Sequence, residues 1–307
     1  MAVAGIDLQQ AAAWAAQALG LSAESLTLHP MAGATSSSVY AVRGKDPEGA
    51  PELVLRLFTN GPWLAEEPDL ARHEAAALEE IAQTDIMAPK LVAWDETGEV
   101  CGVPAVLMTR VPGRVLLRPV DLDAWLWQLA AAILPVHRHN ATDLPWERKL
   151  YNVLDTLEPP PWSPLPRLWL RALNYLRRTS PPQEDWVLIH RDYHPTNVLW
   201  QGEAISGIID WVNACRGPIG IDIARCRANL VVLHGLAAAD RFLQAYQSMA
   251  GSGWRYDPYW ELANLADMLP DPDAVRKGWH PHGVRDISAP LARLRVDAYL
   301  ASIVAMT

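Results

Sequence analysis

Two hydrophobic periods run along this chain, and the change from one to the other divides it. Residues 8–19 read as a short helix, after which 25–29, 38–43 and 52–58 are β-rich runs separated by turn chemistry at Gly33 and over 44–51. Three antiparallel strands are the natural reading. Over 69–81 the residues Leu70, His73, Ala77, Leu78 and Ile81 recur at helical spacing on one face, and 90–94 with 105–109 predict two more strands. The segment Val111-Pro112-Gly113-Arg114 then has turn chemistry, and beyond it the helical period dominates. A domain boundary is expected there, giving units 1–111 and 112–307.

In the second part Asp123 is a candidate N-cap for a helix through Val136, which Pro135 should bend or end. Residues 165–178 form a second amphipathic pattern, with a Pro-rich loop over 158–166 before it. A strand over 186–189 runs into the segment at His190, and 198–200 with 205–209 read as a hairpin turning at Gln201-Gly202-Glu203. From Asp222 onward the pattern is helical, near 222–234, 238–249, 258–268 and 289–304. The fold class predicted is α+β: a small antiparallel sheet with a helix first, a mostly helical part after it.

Half of the 307 residues are apolar, enough for a sizeable core. Cys101, Cys215 and Cys226 are odd in number and lack CxxC spacing, so they read as small buried thiols in a reducing, cytoplasmic compartment. Asp7, Gln9, Gln10 and Gln17 interrupt the Ala-rich opening, so no secretion leader is expected, and no window is long and apolar enough for a membrane helix. The net charge of −9 suggests a cationic partner until its distribution is read. Residues 1–111 hold 15 acids and 6 bases, and the other 196 hold 20 of each. The acidity belongs to the first part, and duplex nucleic acid is not an expected partner.

The chemistry concentrates in His190-Arg191-Asp192-Tyr193-His194-Pro195-Thr196-Asn197 and, after the hairpin, Ile209-Asp210-Trp211. Moving a γ-phosphoryl group requires a carboxylate that orients or accepts the proton of the attacking hydroxyl, and oxygen ligands for Mg²⁺ on the phosphates. Asp192, Asn197 and Asp210 meet that list. His-Arg-Asp followed after four residues by Asn is also the catalytic-loop spacing of protein kinases. Here an apolar strand precedes it and an apolar hairpin follows it.

Those residues resemble the aminoglycoside phosphotransferase and choline kinase-like superfamily, whose members have a bilobal protein-kinase-like fold; the resemblance spans about residues 26–230. Ile209-Asp210-Trp211 stands where a protein kinase has Asp-Phe-Gly, and no Ala-Pro-Glu follows, which favours a small-molecule acceptor. The resemblance implies Asp192 as catalytic base, His190 as the residue orienting the loop, and Asn197 and Asp210 as Mg²⁺ ligands. Asp222 would brace the loop from a helix start or act as an ordinary N-cap.

The same resemblance makes the first part nucleotide-binding. The turn over 33–40, with Ser36 and Ser37, would lie over the phosphates or be a plain hairpin turn; it has one glycine where protein kinases carry three. Arg56 stands where a Lys usually meets the α- and β-phosphates, with Glu74 as its ion-pair partner, and Met108 would line the adenine or guanine site. ATP and GTP are both open. His194 either touches the acceptor or fixes the loop, while His137 is expected to be structural and Arg216 to form a salt bridge within its loop. Trp260, Glu261 and Asp267, with Trp254, Tyr256, Tyr259, Asp271 and Asp273, would bind a cationic acceptor or belong to the core. The function expected is therefore a kinase acting on a hydroxyl of an aminoglycoside-like antibiotic or related metabolite. A nucleotide-binding pseudokinase is the alternative.

Overall fold

The computed structural model describes residues 6–31, 37–44, 52–267 and 272–307. It divides into two compact units: Met1–Pro112 with Ile208–Ala214, and Gly113–Gly207 with Cys215–Thr307. The first unit contains α1 (Leu8–Ala18), β1 (Leu26–Pro30), β2 (Ser38–Gly44), β3 (Leu53–Leu57), α2 (Gly61–Glu66), α3 (Leu70–Ile81), β4 (Leu91–Asp95) and β5 (Ala105–Thr109). All five strands pair antiparallel, in the order β1-β2-β3-β5-β4.

Strand periodicity separates structure from chemistry here. Leu53, Leu55 and Leu57 of β3 point to one face and join Leu107 of β5 and Ala11, Trp14 and Ala15 of α1 in a core cluster. Each fully buried leucine contributes about 1.5–3 kcal/mol. The register pairs Arg56 with Val106 and Val54 with Met108, so Arg56 and Met108 share the opposite face. Asp7 caps α1 by accepting from the N–H groups of Gln9 and Gln10.

The second unit begins with β6 (Arg114–Val115) and α4 (Leu122–His137), followed by α5 (Pro166–Arg178), β7 (Val187–Ile189), β8 (Val198–Gln201) and β9 (Ala204–Ile208). Next come β10 (Cys215–Gly217), α6 (Gly220–His234), α7 (Leu236–Ala250), α8 (Pro258–Asp267), α9 (Asp273–Gly278) and α10 (Ala289–Val304). The strands are minor: β6-β8-β9 form one sheet and β7 pairs with β10. The helices carry the core, and α6 packs against α7, α8 and α10. That explains why α6 is buried almost all round, whereas α5 buries Trp169, Ala172, Leu173 and Leu176, exposes Arg167, Arg171 and Arg178, and turns Arg177 onto the Leu154 and Leu157 carbonyls. The α+β class with a sheet-based first part and a mostly helical second part is as expected from the sequence.

Several local expectations need correction. Asp121, not Asp123, caps α4 by accepting from the Ala124 N–H, while the helix does end at His137, two residues after Pro135. Asp222 is not an N-cap either: Ile219 holds that position and Asp222 lies in the first turn of α6. Arg114 leaves the expected turn at once to pair with Trp200 in β6. Gly113 makes this possible at φ +122°, where a Cβ would lie 2.4 Å from Ser206 Oγ. Ile208–Ala214, expected with the residues on either side of it, groups with the first unit. Ile208 N–H donates to Met87 O at 2.8 Å, and His73 Nε2 meets Ala214 O at 2.6 Å. Cys101, Cys215 and Cys226 are free and buried. Among the described residues no helix is long and apolar enough to cross a membrane.

Candidate active site

In the second unit β7 ends at Ile189 and the chain enters a turn whose backbone is set by one carboxylate. Asp222, 0% exposed, accepts from the His190 N–H at 2.7 Å through Oδ2 and from the Arg191 N–H at 2.6 Å through Oδ1. His137 Nε2 lies 3.1 Å from the same Oδ2. Because a carboxylate only accepts, His137 carries its proton on Nε2, and the Tyr246 hydroxyl then donates to Nδ1 across 2.7 Å. Arg191 is left at φ +65°, a left-handed conformation that the two bonds to Asp222 help to hold. His137 is thus a structural residue of this turn.

The left-handed residue turns the chain so that Asp192 follows in register. Its N–H donates to His190 Nδ1 at 3.3 Å, and the Tyr193 hydroxyl anchors the loop on Leu129 O at 2.7 Å. Asn197 Nδ2 donates to Asp192 O at 2.9 Å and lies 3.5 Å from Asp192 Oδ2. His194 Nε2 is 3.4 Å from that oxygen, while its Nδ1 is 2.7 Å from Thr196 Oγ1. Asp192 Oδ1 instead receives Arg225 Nε and Nη2, both at 2.7 Å. Burial pushes this carboxyl up, but the Arg225 guanidinium and then His194 overcome that and hold it well below the usual carboxylate range. Asp192 is an anion at neutral pH. Sequence reading missed Arg225, although its spacing of three from Asp222 on a helix was a usable signal.

In the first unit Arg56 spans two carboxylates. Its Nη1 donates to Glu74 Oε1 and its Nη2 to Asp210 Oδ1, each at 2.7 Å. Glu74 comes from α3 and is 1% exposed; burial pushes its carboxyl up to about 7 against the pull of Arg56. Burial works against the Arg56 charge, yet Asp210 and Glu74 more than compensate and raise its pKa. Asp210 sits at φ +70° just after β9, a conformation that Asp adopts more readily than most residues. Ser37 lies immediately before β2, and Ser36 lies outside the described residues.

Three residues expected near the acceptor have other work in the structure. Glu261, 1% exposed, is ion-paired with Arg227, which also meets Asp240 at 2.5 Å. Trp260, 3% exposed, packs directly on Gly220 and under the Arg148 guanidinium. Asp267 accepts from the Tyr151 N–H at 3.0 Å and lies 3.5 Å from Arg148 Nη2, so it ties the 148–152 segment to the end of α8. Aromatic and acidic side chains at helical spacing read alike in a core and in a pocket, which is why sequence alone left both open. Arg216, expected to pair within its own loop, lies instead in β10 and pairs with the distant Glu147 at 3.4 Å. Asp271 lies outside the described residues.

Residues 27–273 match the model of the phosphotransferase enzyme family. The chain belongs to that family. Among curated relatives, a homoserine kinase of Brucella ovis is 28% identical over 163 residues, covering 48% of this chain and 49% of the relative. A homoserine kinase of Brucella anthropi is 31% identical over 140 residues, covering 42% of each. The chain thus matches somewhat less than half the length of these relatives. Among solved structures, a thermostable mutant of aminoglycoside phosphotransferase APH(4)-Ia, in ternary complex with ADP and hygromycin B, superposes with a TM-score of 0.59. It is 16% identical, and the match covers 94% of this chain and 97% of that one. This phosphotransferase family member therefore has the kinase-like fold of the aminoglycoside phosphotransferases.

For a phosphotransferase, the fit of a Mg²⁺ ion can be tested on the donor atoms. Mg²⁺ prefers hard oxygen ligands and is held by one or two carboxylates together with phosphates and water, not by a cage of side chains. Among the described residues no group of three or more His, Cys, Asp or Glu could hold a metal. In the first unit Asp210 spends Oδ1 on Arg56, which leaves Oδ2 as a donor. In the second, Asn197 directs its amide N–H₂ to Asp192 O, so its Oδ1 is turned toward acceptor chemistry. Both donors suit Mg²⁺.

Proposed function

We propose that this protein is a kinase that transfers the γ-phosphoryl group of ATP or GTP to a hydroxyl of a small molecule. The observation that carries the reading is Asp192, an anion oriented by Arg225 in a loop whose backbone is fixed by Asp222. An amino alcohol of the homoserine type is the first acceptor to test, because curated relatives are homoserine kinases. Aminoglycosides come next. The buried, free cysteines agree with a cytoplasmic setting.

In this reading the acceptor O–H donates to Asp192, and its oxygen forms a bond to the γ-phosphorus as the bond to the β,γ-bridging oxygen breaks. The diphosphate leaves, and the hydroxyl proton passes to Asp192 and then to solvent. A carboxylate with so low a pKa is a weak base. Its main contribution is alignment, which suits a loose transition state in which the proton is lost late. Arg56, whose charge Asp210 and Glu74 support, would offer its remaining N–H donors to phosphate oxygens. Asn197 and Asp210 would hold Mg²⁺, which neutralises charge on the β- and γ-phosphates when bound.

The test is nucleotide diphosphate release from MgATP and MgGTP across L-homoserine, choline, aminoglycosides and sugars, with D192N as the blank. Acceptor-dependent release by the wild type and none by D192N supports the proposal. Nucleotide binding with no release for any acceptor supports a pseudokinase instead.

A further inference from the structure

We propose that Arg225 is a positioning residue for phosphoryl transfer: it clamps Oδ1 of Asp192 so that Oδ2 is the oxygen that receives the acceptor hydroxyl. This rests on the reading of Asp192 as the base. The geometry is asymmetric between the two oxygens. Arg225 Nε and Nη2 both reach Oδ1 at 2.7 Å, whereas Oδ2, among the described residues, meets His194 Nε2 at 3.4 Å and Asn197 Nδ2 at 3.5 Å. Contacts that long are at the outer limit of hydrogen bonding, so Oδ2 keeps its accepting capacity.

The source of the clamp is one turn of α6. Asp222 fixes the backbone at His190 and Arg191, and Arg225, three residues later on the same helix, fixes the side chain of Asp192. Backbone and side chain of the loop are therefore referenced to one rigid element, which is what alignment of a reacting hydroxyl requires. The fork of a guanidinium can place two donors on one oxygen, which a lysine ammonium does less well. The pair is 27% and 22% exposed in its side chains, and partly exposed pairs add little to stability. A role in alignment accounts for the geometry better than a role in folding.

The full chain would be assayed as wild type, R225A, R225Q, R225K and D192N, following ADP release from MgATP with L-homoserine and, separately, with water as acceptor. Expected for R225A and R225Q is a kcat lowered about 100-fold, with KM for MgATP within about threefold of wild type. R225K should fall between, and millimolar guanidinium should restore part of the R225A rate but none of the D192N rate. Wild-type kcat in either neutral variant, while D192N is inactive, overturns the role of Arg225. So does a loss that appears only in melting temperature, that neither guanidinium nor lysine relieves, or that comes from unfolding of both neutral variants. Wild-type turnover by D192N is a separate result that removes Asp192 as the base.

Discussion

Removing the Asp222 carboxylate should cost this protein both stability and alignment, and the size of the loss follows from its partners. Asp222 is fully buried and accepts from two backbone N–H groups, at 2.7 and 2.6 Å, and from His137 at 3.1 Å. D222A leaves three donors without that acceptor. Hydrogen bonds to a charged group contribute about 1.5–3 kcal/mol each, but losses within one cluster do not add, so about 3–5 kcal/mol is expected for the substitution. Against a total stability of about 5–15 kcal/mol this is a large share. D222N keeps one acceptor oxygen but sets an N–H₂ against a backbone N–H, and should lose about 1.5–3 kcal/mol. Urea denaturation followed by tryptophan fluorescence at pH 7 gives both values. Diphosphate release, measured below the transition, should drop in both variants because the backbone of His190 and Arg191, which leads into Asp192, loses its reference. A D222A protein destabilised by less than about 1 kcal/mol would refute the reasoning.

Gly220 opens α6 against Trp260, and an added Cβ would lie 2.3 Å from Trp260 Cδ1, so G220A should lose about 1–3 kcal/mol in chemical denaturation. His234, packed edge-to-face on Trp125, has its pKa lowered to about 4, first by burial and then by Arg118. A depressed folded pKa gives stability that is present above about pH 6.5 and lost as pH falls toward 4. Denaturation midpoints at pH 7 and pH 5 should therefore diverge more in the wild type than in H234Q.

The parts of this molecule legible in the sequence are those written in local patterns. The period of two in Leu53, Leu55 and Leu57 and the helical spacing of Leu70 to Ile81 gave their elements within a residue or two. The loop from His190 to Asn197 was legible because its residues are adjacent and their chemistry is specific. What stayed hidden depends on contacts between distant residues. Nothing near Asp192 says that Arg225 will reach it, and of the two readings open for Asp222, loop brace and helix cap, the first is selected only when His190 and Arg191 are brought to its oxygens. Asp121 and Asp123 are both competent caps, and only the start of the turn decides between them. Trp260 and Glu261 fit a ligand pocket by composition, and their burial against Gly220 and Arg227 is a tertiary fact.

The central claim is that Asp192 aligns a small-molecule hydroxyl for γ-phosphoryl transfer. Its most direct test is mass-spectrometric detection of a phosphomonoester after incubation of MgATP with L-homoserine and the wild-type or D192N protein. The account predicts a phosphorylated product from the wild type and none above background from a folded D192N protein. Equal product from the two proteins would contradict it.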